Sequence, residues 1–113
     1  MMARLATGLL VNALIRRAEG AGGSAMVLAK GDATAGAVLL LLVERGANPR
    51  FVERGLGPDG SAALIASGPR EFADDGEVTA YWRRRRARDS DLWVVELDIA
   101  QAERFAAETF TIN

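Results

Sequence analysis

Two stretches of the chain carry apolar residues on both sides of what would be an extended backbone. In Ala37–Glu44, the residues Val38, Leu40 and Leu42 fall on one side and Ala37, Leu39, Leu41 and Val43 on the other. In Leu92–Leu97, Leu92 and Val94 oppose Trp93, Val95 and Leu97. A sheet with one wet face alternates apolar and polar residues, and these strands do not. Either helices cover both faces or another chain covers one. The reading preferred from the pattern is the second: apolar sheet surface buried by self-association or by a protein partner.

The remaining elements follow from periodicity and punctuation. Leu10, Ala13, Leu14 and Arg17 recur at helical spacing, and Leu9, Val11, Ile15 and Ala18 widen the stripe. The pattern predicts a helix from Gly8 to about Gly20, capped by Thr7, buried over more than half its circumference and led into by an extended Arg4–Ala6. Arg16, Arg17 and Glu19 mark its wet side, and Gly20, Gly22 and Gly23 end it. A strand is predicted at Ser24–Lys30, then a turn with glycine at both ends, Gly31 to Gly36. Ala37–Glu44 is a second strand and Gly46–Pro49 a loop. Arg50–Arg54 and Ala62–Ser67 are two more strands, separated by Gly55–Gly60. Asp74-Asp75-Gly76 precedes a second helix with Val78, Tyr81 and Trp82 on one side. Asp89-Ser90-Asp91 ends that helix before the Leu92 strand. Ala100–Glu108 is a short last helix anchored by Phe105, and the tail 109–113 is expected to be flexible.

Short connections favour antiparallel neighbours, so the first four strands are expected to form a meander. The predicted class is α+β: a mostly antiparallel sheet of about five strands with two main helices, in a single two-layer domain spanning 1–113.

Composition narrows the chemistry. The 113 residues contain no cysteine and no histidine, and the formal net charge is −1. Disulfides, thiolate nucleophiles, Cys/His zinc sites and a histidine base are therefore excluded from this chain. Proton transfer would fall to carboxylates, Lys30 or Tyr81. No global field steers the chain toward nucleic acid or an acidic membrane. The longest apolar run, Gly36–Val43, is far short of the roughly 18 residues of a membrane span. Asn12 and the Arg16-Arg17 pair interrupt any resemblance of the first stretch to a secretory signal, so it is read as an ordinary helix. The expected compartment is the cytoplasm.

The run Arg83–Arg86 with Arg88 is the most conspicuous charged feature. Arg83, Arg84, Arg86 and Arg88 are the candidate residues for an anion or partner site, for nucleic acid or an acidic protein surface. Consecutive residues spread around a helix, however, and Arg85 falls on the apolar side, where its stem covers hydrophobic surface. Glu77, Asp89, Asp91 and Glu96 lie near in sequence and are expected to neutralise part of the charge. A solvated or ion-paired face is the preferred reading. Trp82 and Trp93 suggest a base-stacking platform but sit at apolar positions, so both are expected in the core.

The glycines at 20, 22 and 23 follow a helix and precede a strand, the reverse of a nucleotide loop. Asp32, Asp74, Asp75, Asp89 and Asp91 sit in turns or at helix ends, where Asp is favoured for local hydrogen bonding, and none has calcium-loop spacing. Thr34 and Ser61 have no base or elbow motif nearby. No catalytic residue, metal site or cofactor is expected.

Three segments together resemble a known family: Leu14–Ala18 (LIRRA), Lys30–Val38 (KGDATAGAV), and Asp91–Glu96 (DLWVVE) following an arginine-rich helix. They are similar to the small alphaproteobacterial family catalogued as domain of unknown function 1491, over most of the chain. The region Arg50–Pro69 is richer in glycine and alanine than that family's pattern. The resemblance implies a bacterial protein and no particular activity, cofactor or site residue. The functional expectation is a non-catalytic protein-interaction module that self-associates. The alternatives are an anion or nucleic-acid binder through the arginine helix, and, least favoured, an enzyme using carboxylates.

Overall fold

The structure, a computed structural model, describes residues 5–110. The expected lead-in at Arg4 and the end of the expected tail, 111–113, lie outside them. The elements are α1 (Thr7–Gly20), β1 (Ser24–Ala29), β2 (Val38–Glu44), β3 (Ala47–Leu56), β4 (Ala62–Ser67), α2 (Asp75–Arg88), β5 (Trp93–Asp98) and α3 (Ala102–Phe110). The class is α+β, and the five-stranded sheet is mostly antiparallel.

The strand order is β1-β5-β2-β3-β4. The expected meander is corrected: β5 enters between β1 and β2, antiparallel to the first and parallel to the second. The reason is burial. Val94, Val95 and Leu97 are each 0% exposed, and a strand that is apolar on both faces belongs in the middle of a sheet. The Gly31–Gly36 turn makes this insertion feasible. Asp32 N–H donates to the Asp91 carbonyl at 3.0 Å, and Trp93 N–H donates to the Ala37 carbonyl at 2.8 Å. A Cβ on Gly31 or Gly36 would stand 2.1 or 2.2 Å from the Asp91 carbonyl oxygen, so only glycine fits at either end of the turn.

Helices cover both faces, and the two-layer expectation is corrected to three layers. On one face α1 and α3 pack Leu10, Val11, Leu14, Ala102, Ala106 and Phe110 over Leu40, Leu42, Val52, Trp93, Val95 and Leu97. On the other, Val78 of α2, with Phe72, Tyr81 and Trp82, covers Leu39, Leu41, Phe51, Leu92 and Val94. The partition of β2 and β5 into two apolar faces is as the pattern predicts. The chain's own helices bury both, so these faces no longer call for a second chain.

Local corrections have local causes. Ala6, not Thr7, is the N-cap of α1. Thr7 is buried, and its hydroxyl donates to the Gly36 carbonyl at 2.7 Å, pinning α1 to the Gly31–Gly36 turn. The buried stripe of α1 is narrower than expected, since Leu9 is exposed. Arg17 is not simply wet: it reaches α3, donates to Thr109 Oγ1 and lies over the Phe105 ring. Phe110 rather than Phe105 is the fully buried anchor of α3, and Thr109 is buried with it, so the first part of the expected flexible tail is helix.

The expected Gly46–Pro49 loop is instead a tight turn at Arg45-Gly46 with positive φ at both residues, and β3 begins at Ala47. The Asp98 carboxylate accepts both turn N–H groups, from Arg45 at 2.7 Å and from Gly46 at 3.1 Å.

Candidate interaction site

The sheet has two edges, and they differ. β1 carries a bulge between Val27 and Ala29, a feature that bends an edge away from further pairing. β4 pairs with β3 in unbroken register from Phe51↔Ser67 to Leu56↔Ala62. Its sequence, AALIAS, has no charge and no proline. As the last strand of the sheet it presents an outer row of N–H and C=O groups, and among the described residues no hydrogen bond reaches that row.

Behind this edge lies a groove of about 810 Å³ between β4 and α3. It exists because α3 turns Ala102, Ala106 and Phe110 inward toward α1 and the central strands, while Ala62, Ala66 and Ala107 are too short to fill the space beside them. Leu64 stands partly buried in its floor and Ile65, on the opposite face, is 41% exposed. Charge frames the groove. Arg50 donates to both oxygens of Glu103 at 2.6 and 2.5 Å and lies 3.7 Å from Glu44. The hydrogen bond to Glu103 raises the Arg50 pKa and lowers that of Glu103. Arg70 and Arg104 are exposed at the groove's margins.

The arginine helix is held differently from how its sequence suggests. Asp74 caps α2 by accepting from Glu77 N–H at 2.9 Å, and Glu77 returns the bond to Ala73 N–H at 2.7 Å. Only Val78 of its 14 residues is fully buried. Arg85 does lie on the inner side, and there it forms an ion pair with Glu53 and bonds Ser67 and Tyr81. Of the candidate residues, Arg83, Arg84 and Arg88 are exposed, whereas Arg86 is half-buried. Its Nη2 donates to the Lys30 carbonyl at 2.6 Å, and its Nε is buried with no partner among the described residues. Arg86 therefore does not share an outward face with the other three.

The nearby acids do not pair with them in the described structure. Glu77 is in the cap and Asp89 accepts from Asp91 N–H. Arg83 rests over the Trp82 ring at 5.6 Å. Trp93 is buried on the other face of the sheet, its indole N–H donating to the Asp32 carbonyl, so the two tryptophans form no common platform. The five candidate aspartates stay scattered in their turns, with Asp32 accepting from Thr34 and Ala35 N–H. Among the described residues no three acidic groups gather as a cation site.

The β4 edge and its groove escaped the sequence reading. The available signal was an uncharged six-residue strand flanked by turn glycines at 60 and 68, with alanines at 62, 63 and 66.

A family model described as "Protein of unknown function (DUF1491)" matches residues 5–107. The chain belongs to this family. The crystal structure of a DUF1491 family protein from Caulobacter crescentus CB15 at 1.87 Å resolution is similar, with TM-score 0.77 and 37% identity. The match covers 90% of this chain and 94% of that one. An NMR structure of a DUF1491 family protein from the same organism gives TM-score 0.75 at 36% identity, over 92% and 94% of the two chains. The solution structure of a protein from A. tumefaciens gives TM-score 0.66 at 29% identity, over 88% and 89%. No curated protein matches the chain. Among the described residues no helix is long and apolar enough to cross a membrane.

Proposed function

We propose that this DUF1491 protein is a non-catalytic protein-interaction module of the cytoplasm that takes an extended protein segment onto the β4 edge. The observation that carries this is the edge itself: unbulged, uncharged, unpaired on its outer side among the described residues and backed by an apolar groove. Strand addition uses those two features separately, main-chain bonds along the edge for affinity and a pocket for alternate side chains for selectivity. Natural edges of this kind are ordinarily blunted by charge, proline or a bulge, and β4 has none of these.

The test uses a synthetic segment with the sequence Gly60–Pro69, followed by amide NMR. Shifts confined to β4, Ala107 and Arg104, and lost in Ile65→Lys, support the reading. No shifts, or shifts elsewhere, overturn it.

A second reading is favoured by Arg83 over Trp82 together with exposed Arg84 and Arg88 one helical turn apart. It is an anion or nucleic-acid face on α2. Phosphate-driven binding weakens steeply with salt, so a salt titration with single-stranded DNA separates it from an apolar strand-addition site.

A further inference from the structure

We infer that the segment received by β4 is β4 of a second copy of this chain, in a two-fold dimer with a continuous ten-stranded sheet centred on Leu64. This rests on the strand-addition reading above and names its partner.

Symmetry restricts the geometry. An antiparallel pair related by a two-fold axis has that axis perpendicular to the sheet, so each copy keeps the same face up, and residues directly opposite lie on the same face. Only registers centred on a residue are allowed. Centring on Leu64 sets Leu64 opposite its mate, Ala63 opposite Ile65, and Ala62 opposite Ala66. On the α2 face the bulky, exposed Ile65 of each copy then meets a small alanine. On the α3 face the two leucines meet over the alanine-lined grooves. Both α3 helices end on the same side of the joined sheet, each beside the other's groove. The edge and the groove are thus used by one occupant.

Charge fits as well. Asp59 precedes β4 and Arg70 follows it, and both are exposed. Antiparallel pairing about Leu64 carries the Asp59 end of one copy to the Arg70 end of the other, twice per dimer. A register centred on Ile65 instead sets the two bulky, exposed isoleucines against each other and leaves each Leu64 opposite Ala66. Within the six residues of the strand there is no charge to repel a second copy. An unrelated acidic peptide would meet Arg70 and Arg104 but also Glu103, whereas pairing with the second copy brings Asp59 of one chain toward Arg70 of the other at each end.

Sedimentation equilibrium of the full chain across micromolar concentrations tests the inference. The expected result is a mass twice the monomer's. Asp59→Arg and Arg70→Asp should each weaken the dimer by on the order of tenfold. The combined Asp59→Arg/Arg70→Asp chain should recover, because both contacts are reversed together. Both positions are exposed, and circular dichroism of each variant verifies that folding is unaffected. A monomer at every concentration overturns the dimer. If the synthetic Gly60–Pro69 segment still shifts the β4 amides in that case, strand addition survives with a different partner; if it does not, both readings fail together. A dimer indifferent to both reversals overturns the Leu64-centred arrangement.

Discussion

Arg85 of α2 and Glu53 of β3 meet through two contacts, Nη1 to Oε2 at 2.7 Å and Nη2 to Oε1 at 3.1 Å. The same Nη1 lies 2.9 Å from Ser67 Oγ and 3.0 Å from Tyr81 Oη, and those two hydroxyls are 2.6 Å apart. One guanidinium thereby ties α2 to both β3 and β4. Since α2 buries little apolar surface of its own, this cluster is a large share of what fixes its position. Arg85→Met should destabilise the fold by about 1–3 kcal/mol, because Glu53 loses its cation and two hydroxyls lose a donor. Urea denaturation measures it.

That pair also sets an acid dependence. The hydrogen bond from Arg85 holds the Glu53 pKa below its ordinary value, and the bond from Arg50 does the same for Glu103. Both carboxylates bind protons more weakly folded than unfolded. Their stabilisation is fully present above the ordinary glutamate pKa of about 4.3 and is lost as pH falls through the lowered folded values. The Glu103 side chain is 56% exposed and that of Glu53 34%, so solvent screening keeps each contribution to about 1 kcal/mol or less. Glu53→Gln and Glu103→Gln should each flatten the loss of stability below about pH 4.3 while lowering stability at pH 7. Thermal midpoints at the two pH values check this.

How much of this was legible in the sequence depends on whether the cause was local. The two faces of β2 and β5, the acidic start of α2 and the inward position of Arg85 were readable from spacing alone. The insertion of β5 was not, since it depends on the Gly31–Gly36 turn folding under Asp91, a residue far along the chain. Nor was the cover on the second face. Val78, Tyr81 and Trp82 were visible as a stripe, but Phe51 and Phe72 join them only in three dimensions, with Phe51 4.7 Å from the Tyr81 ring and 5.7 Å from the Phe72 ring. The arginine run looked uniform in sequence. The fold divides it, with Arg85 and Arg86 turned to protein and Arg83, Arg84 and Arg88 to solvent.

The division of that run predicts unequal mutational effects. Replacing Arg83, Arg84 and Arg88 together by Gln should change stability by no more than about 0.5 kcal/mol per site, as expected for exposed residues without ion pairs in the described structure. The same variant should abolish any salt-sensitive binding of single-stranded DNA if α2 is an anion face. DNA binding unchanged by the triple replacement would remove the face from consideration.

Phe51 is the aromatic on which α2 rests. It is 1% exposed and contacts both Phe72 and Tyr81. Phe51→Ala should cost about 3–5 kcal/mol. It should also loosen α2 selectively, read as faster hydrogen exchange in residues 75–88 than in α1. Uniform acceleration across the chain would show that α2 is not separately held.

Gly36 offers the sharpest test of the topology. Its φ is ordinary, so backbone strain is not the issue; space is. A Cβ there would overlap the Asp91 carbonyl at 2.2 Å and stand 2.9 Å from the Asp32 carbonyl, and both obstacles are backbone. Relieving the overlap means moving the Gly31–Gly36 turn away from Asp91. That motion breaks the Asp32–Asp91 bond and strains the Trp93–Asp32 bond, which together position β5 against β2. Gly36→Ala should therefore destabilise the fold by more than about 2 kcal/mol, lowering the melting temperature by roughly 8 °C or more in a domain of this size. Gly20→Ala serves as the control, since a Cβ at Gly20 meets nothing within 4 Å and the helix favours alanine there. Equal melting temperatures for the two variants would mean that the turn does not fix the place of β5 in the sheet.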